Sequence, residues 1–170
     1  MAAKTYGVLN GDVPGAAAAI PIATSTVIKT HLQIATNTTT PALRFVEWWV
    51  EFDGSTAATP VKVELLRYTG GAQTTLTAYT AAMITKFNDP NAPASSIQLG
   101  AALSGFSNNT TEVAPTTVVS LETHFVPPTS GIYIQWPLGR EPEVQVSAFA
   151  RVRMTAGASV NAYTGVVWEE

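Results

Sequence analysis

Any chemistry in this chain has to come from two histidines, His31 and His124, and a small set of carboxylates. Acyl transfer needs an imidazole beside a hydroxyl nucleophile, and the sharp G-x-S-x-G turn that often presents such a serine does not occur. A divalent metal wants three or four convergent ligands. The donors on offer are the histidines with Glu47, Glu122 or another acid, but both histidines fall in strand-like sequence, where an imidazole with one polar edge satisfied is the plainer expectation. Glycoside hydrolysis needs two carboxyls roughly 5 to 9 Å apart. Glu47 and Glu51 share a strand face at a spacing of roughly 13 Å, so only cross-strand pairing of one of them with Glu64 would bring two acids close enough. There is no Cys, which excludes thiolate metal sites and thiol nucleophiles. Neither G-x-x-x-x-G-K-S nor G-x-G-x-x-G is present to cradle a phosphate. The expectation is a protein that is not an enzyme and uses no cofactor and no metal.

Composition points the same way. Charged residues make up 12% of the 170, against about 25% in an ordinary soluble domain. Thr and Ala take their place, which predicts a neutral, hydroxyl-rich surface that repels a neighbour little. A net charge of −3 and a pI near 5.3 argue against nucleic acid. Arg140, Arg151 and Arg153 are the nearest approach to a basic group and read as solvated strand faces. No run of eighteen apolar residues occurs, so a membrane span is not expected. Lys4 and the apolar stretch from Ala16 to Ile22 superficially resemble a secretion signal, but Asn10, Asp12, Pro14 and Gly15 interrupt it.

The elements that would position these residues are strands. Residues 1–25 are rich in Ala, Gly and Pro and predict an extended arm that orders against a neighbouring subunit, with a frayed end or first edge strand as the bland alternative. Residues 26–170 predict one antiparallel β-sandwich or jelly-roll domain, with eight or nine strands and no β-helix-β repeat. Ile28, Leu32 and Ile34 share one face of the first strand. In LRFVEWWVEFD, Val46, Trp48, Val50 and Phe52 share a face opposite Phe45, Glu47, Trp49 and Glu51. Val61, Val63 and Leu65 mark the next strand, which could pair with the one before it unless the intervening loop crosses to another sheet. Residues 72–87 predict a short strand and then an irregular segment or a turn of helix. Val144 to Thr155 alternates over its whole length, and Ala156-Gly157-Ala158-Ser159 predicts a hairpin to the last strand, Val160 to Trp168.

Between Asn88 and Pro115, turn residues predict a long loop of the kind that covers an edge or binds a partner. The aromatic residues complete the picture. Trp48 and Trp49 are adjacent in a strand and must point to opposite faces, so one belongs to the core and Trp49 lies among carboxylates on the other side. Trp49 is thus a candidate subunit anchor, with a platform for a sugar ring and simple cover by the long loop as the competing readings. The candidate interface residues are Pro14, Ile20 and Ile22 in the arm, Trp49, and Phe106 in the long loop.

Three features together, the Gly- and Ala-rich start, the hydroxyl-rich β body and the end Val167-Trp168-Glu169-Glu170, resemble small structural proteins of tailed bacteriophages. ALRFVEWWVEFDGSTAATPVKVELLR (residues 42–67) and residues 137–170 carry the resemblance. It implies a capsid decoration, or cement, protein at the outer capsid surface of the virion. Such a protein is a homo-oligomer, most often a trimer, that binds the major capsid protein through its arm and loops. The alternative is a carbohydrate- or receptor-binding sandwich of a tail or fibre.

Overall fold

The computed structural model describes residues 3–11, 21–39, 42–53, 59–107 and 111–170. The strands are β1 (Thr5–Leu9), β2 (Ile22–Ala23), β3 (Lys29–Ala35), β4 (Leu43–Phe52), β5 (Val61–Tyr68), β6 (Thr77–Ala78), β7 (Thr85–Lys86), β8 (Gly105–Phe106), β9 (Val119–Val126), β10 (Gly131–Gln135), β11 (Glu143–Val144), β12 (Phe149–Thr155) and β13 (Asn161–Glu169). A single 3-10 turn, Ala81–Met83, lies between β6 and β7. Residues 72–87 therefore form the strand and helical turn that their composition predicts.

Two antiparallel sheets pack face to face. The first runs β10-β4-β13-β1-β7, with β11 on β4 and β2 on β13, and the second runs β6-β8-β3-β12-β5-β9. Numbered in chain order, the eight longest strands form one sheet as 1-8-3-6 and the other as 2-7-4-5. First pairs with eighth, second with seventh, third with sixth and fourth with fifth, which is a long hairpin rolled into a sandwich, the connectivity of a jelly roll. Both sheets feed one core that includes Leu32, Phe45, Trp48, Val50, Val63, Leu65, Val152, Val166 and Trp168.

Several local expectations change at this level. Residues 5–9 of the expected arm are a strand set between β13 and β7, with Tyr6 and Val8 buried and Tyr6 stacked on Trp168 at 6.2 Å. Gly7, between them, lies under the Phe87 ring, only 2.5 Å from where a Cβ would sit. Strands β4 and β5 belong to different sheets and do not pair; neither do β12 and β13, so the connection at 156–160 crosses the sandwich instead of closing a hairpin. The alternation from Val144 to Thr155 is not one strand. It breaks at residues 145–148, where Ser147 takes a left-handed backbone (φ 56) and the chain passes from the first sheet to the second. The Thr36 hydroxyl holds this corner, accepting from the Ala148 amide at 2.9 Å and donating to the Gln145 carbonyl at 2.6 Å.

Bulges account for the remaining departures. Across β4 and β13, Val167 faces Glu47 and Trp168 faces Phe45, which leaves Val46 without an opposite partner. The extra residue moves Leu43 and Phe45 onto the core face with Trp48, although strict alternation places Phe45 on the other side. Equivalent shifts leave His31 unmatched in β3 and Leu121 unmatched in β9. Part of the long loop from 88 to 115 does cover an edge: β8 pairs with β3, and Gln98 bridges to Ala35.

Candidate binding surface

The outer face of the first sheet presents two neighbouring aromatic side chains, Trp49 and Tyr133. Register places Tyr133 of β10 opposite Trp49 of β4, and Trp49 opposite Gly165 of β13. A Cβ at Gly165 would come within 2.2 Å of Trp49 Cζ2, so the indole lies across the neighbouring strand at a point where only glycine leaves room. Thr164 Oγ1 donates to the Trp49 carbonyl at 2.6 Å and fixes the backbone beneath the ring. Trp49 is half-buried by this arrangement, whereas Tyr133 is 61% exposed and donates its hydroxyl to the Glu47 carboxylate. That hydrogen bond, with some burial and the Glu47 charge, holds the Tyr133 phenol above its usual range. Beside it, an open groove of about 410 Å³ is lined by Glu51, Phe52, Ser130, Gly131, Ile132 and Tyr133.

Strands β9 and β10 end their respective sheets on the same flank of the sandwich. Phe125 on β9 is 70% exposed, and Leu138, just after β10, is 95% exposed. Each edge thus carries a large exposed side chain, Phe125 on β9 and Tyr133 on β10, on a chain of few charges. Bare edge strands with large apolar side chains are surfaces that proteins normally cover.

The expected contact residues separate. Trp49 lies on the outer face as its position beside Trp48 required. Ile22 and Phe106 are core, 4% and 5% exposed: Ile22 pairs with Ala162, and Phe106 packs on the Tyr79 ring. Both side chains pack into the shared core, which leaves them no outward surface to offer a partner. Pro14 and Ile20 lie outside the described residues.

Of the three arginines expected on solvated faces, Arg140 is exposed, whereas Arg151 is buried and Arg153 half-buried, and both are paired with acids. Arg151 is fully buried and donates to Glu112 Oε1 (2.7 Å), the Val113 carbonyl (2.8 Å), the Gly71 carbonyl (3.0 Å), Gln33 Oε1 (3.0 Å) and the Tyr68 hydroxyl (2.8 Å). Its guanidinium also sits 4.6 Å over the Tyr68 ring. Arg153 bridges Glu64 at 2.9 Å and Glu112 at 3.1 Å. Burial alone would raise the Glu64 carboxyl, but the hydrogen bonds from Arg153 and Lys62 outweigh it and hold the group below the usual range. This network straps residues 111–113 across the outer face of the second sheet. Its charge partner, Glu112, lies far along the chain in an irregular segment, so no spacing pattern announced it.

The histidines and the carboxylates weighed for catalysis do not converge on one site. His31 and His124 stand on β3 and β9 with two strands between them, roughly 14 Å at ordinary strand spacing. His124 contacts Glu122 at 3.0 Å, and His31 is fully buried with neither ring nitrogen hydrogen-bonded. Glu64 belongs to the opposite sheet from Glu47 and Glu51, so the cross-strand pairing that glycoside hydrolysis required does not form. Among the described residues, no three His, Asp or Glu side chains converge as a metal site. No protein-family model matches the chain, and comparison with curated proteins and with solved structures finds no similar protein.

Proposed function

We propose that this chain is a virion structural protein of the capsid-decoration type, acting through protein contacts alone. In this reading it forms a closed homo-oligomer, a trimer, and attaches to the major capsid protein on the outer capsid surface. The observation that carries the proposal is the exposure of large side chains, Phe125, Tyr133 and Leu138, along and just past the β9 and β10 edges of a body with few charges. An edge of that character is stabilised by a partner, and many modest contacts of this kind add up on a lattice. The part first assigned to residues 1–25 narrows, because β1 belongs to the core; attachment is assigned mainly to the flank.

Light scattering of the purified chain, together with co-sedimentation on capsids lacking it, tests the proposal. The expected result is a discrete oligomer that binds capsids, with both properties lost in Phe125→Ser/Leu138→Ser. A monomer at all concentrations that does not sediment with capsids overturns it.

One arrangement favours a second reading, a carbohydrate- or receptor-binding sandwich. Trp49 and Tyr133 lie side by side next to a groove that offers Glu51 and Ser130 as polar partners, a combination suited to stacking a sugar ring and fixing its hydroxyls. Saturable quenching of tryptophan emission by a glycan, abolished in Trp49→Ala while capsid binding is absent, would establish this reading over the first.

A further inference from the structure

One end of the sandwich, where the chain leaves β2 and enters β3, carries a partly open pocket of about 220 Å³. Ala23, Thr24, Ser25, Lys29, Thr111 and Ser159 are among its walls. Lys29 faces Met154 across β3 and β12, so its side chain leaves the strand on the face that Met154 turns to the core, and the residue is only 4% exposed. The ammonium donates one hydrogen bond, to the Ala23 carbonyl at 2.7 Å, out of the three it can make. The acids that form ion pairs among the described residues, Asp89, Glu64, Glu122 and Glu112, are all engaged by other bases. Burial lowers the Lys29 pKa, and no described carboxylate pairs with it.

The hydroxyls around Lys29 have matching polarity. Thr24 Oγ1 accepts from the Val160 amide at 3.0 Å and Ser25 Oγ accepts from the Val27 amide at 3.3 Å, which leaves their O–H protons to be donated. A buried cation with no paired charge is costly; Lys29 has none among the described residues, and Thr24 and Ser25 line the same pocket. That set of donors fits a negative ligand and offers little to a cation.

We propose that this pocket binds a small oxyanion, a carboxylate or a phosphate, held by the Lys29 ammonium and the Thr24 and Ser25 hydroxyls. The site is independent of the flank and of the function assigned to it.

The test uses the full chain at pH 7 in sodium acetate, in sodium phosphate and in sodium chloride at matched ionic strength. Two quantities are read: the unfolding midpoint and the lysine ammonium resonances, of which only Lys4, Lys29, Lys62 and Lys86 contribute. The expected result is a saturable shift of the Lys29 resonance and a rise in midpoint of several degrees with at least one oxyanion over chloride. Acetate alone acting identifies the ligand as a carboxylate, and phosphate alone as a phosphate. Lys29→Met removes the effect; Ser159→Leu, a change at an exposed position of the pocket wall that keeps the ammonium, also blocks it if Lys29→Met does not fold. A Lys29 resonance unmoved by both anions, or an equal rise in midpoint in the wild type and the variants, overturns the proposal.

Discussion

Mild acid should weaken this fold through a single residue. His31 is fully buried, and burial, reinforced by the neighbouring Lys29 charge, lowers its pKa from 6.5 to about 3. The unfolded chain therefore takes up a proton well before the folded one does. The stabilising contribution is complete above pH 6.5 and is lost progressively as the pH falls from 6.5 toward 3. At about 1.36 kcal/mol per pH unit, the loss reaches about 2 kcal/mol at pH 5 and approaches 5 kcal/mol near pH 3, a large share of the roughly 5–15 kcal/mol that holds a typical domain. The assay is urea unfolding at pH 7.5, 6.0 and 5.0, in buffers free of acetate and phosphate, on wild type and His31→Leu. Replacing a ring whose two nitrogens have no hydrogen-bond partner with an apolar side chain removes the titration without breaking a bond. The carboxylates titrate in both proteins and cancel in the difference. Wild type should lose about 2 kcal/mol more than His31→Leu between pH 7.5 and 5.0. Parallel curves for the two proteins would refute the assignment of acid sensitivity to His31.

Other perturbations address the strap and the flank. Glu112→Ala leaves the Arg151 guanidinium buried without its carboxylate, which should cost about 3–5 kcal/mol in urea unfolding; a loss near zero would mean that the strap over the second sheet contributes little. Gly165→Ala forces a methyl into the Trp49 ring, with a destabilisation of about 1–3 kcal/mol and a red shift of tryptophan emission as the indole lifts into water. Adding Trp49→Ala should relieve most of that cost, a coupling that thermal unfolding of the double variant measures directly. Phe125→Ser/Leu138→Ser changes only exposed surface and should leave monomer stability within about 0.5 kcal/mol while oligomer mass and capsid sedimentation fall; variants that unfold readily would place these side chains in the fold itself.

Much of the candidate surface was legible in part. The adjacency of Trp48 and Trp49 forces one of them outward, and the outward one is Trp49, as the carboxylates beside it suggested. Tyr133 as its neighbour was not legible, because the register of β10 on β4 is a property of two segments that carry no complementary motif. Arg151 and Arg153 alternate like surface residues of a strand, and nothing local distinguishes them from solvated ones. Their burial follows from a loop laid over them, with Glu112 supplying the charge. Ile22 and Phe106, isolated between turn residues, carry no period that separates a core side chain from a contact residue.

Alternation of apolar and polar side chains over Lys29–Ala35, Val61–Tyr68 and Phe149–Thr155 was enough to make this an all-β chain, since a strand turns successive residues to opposite faces whatever its partners are. The two-sheet roll depends on pairings such as Thr5 with Glu169, on corners such as the one at Ser147, and on bulges such as the one at Val46. A bulge exists only between two strands, and adding one residue reverses which face is buried for everything on one side of it. Strand character was thus decided by the residues alone, whereas sheet membership, the inward turn of Phe45 and the meeting of Trp49 with Tyr133 were decided by tertiary pairing.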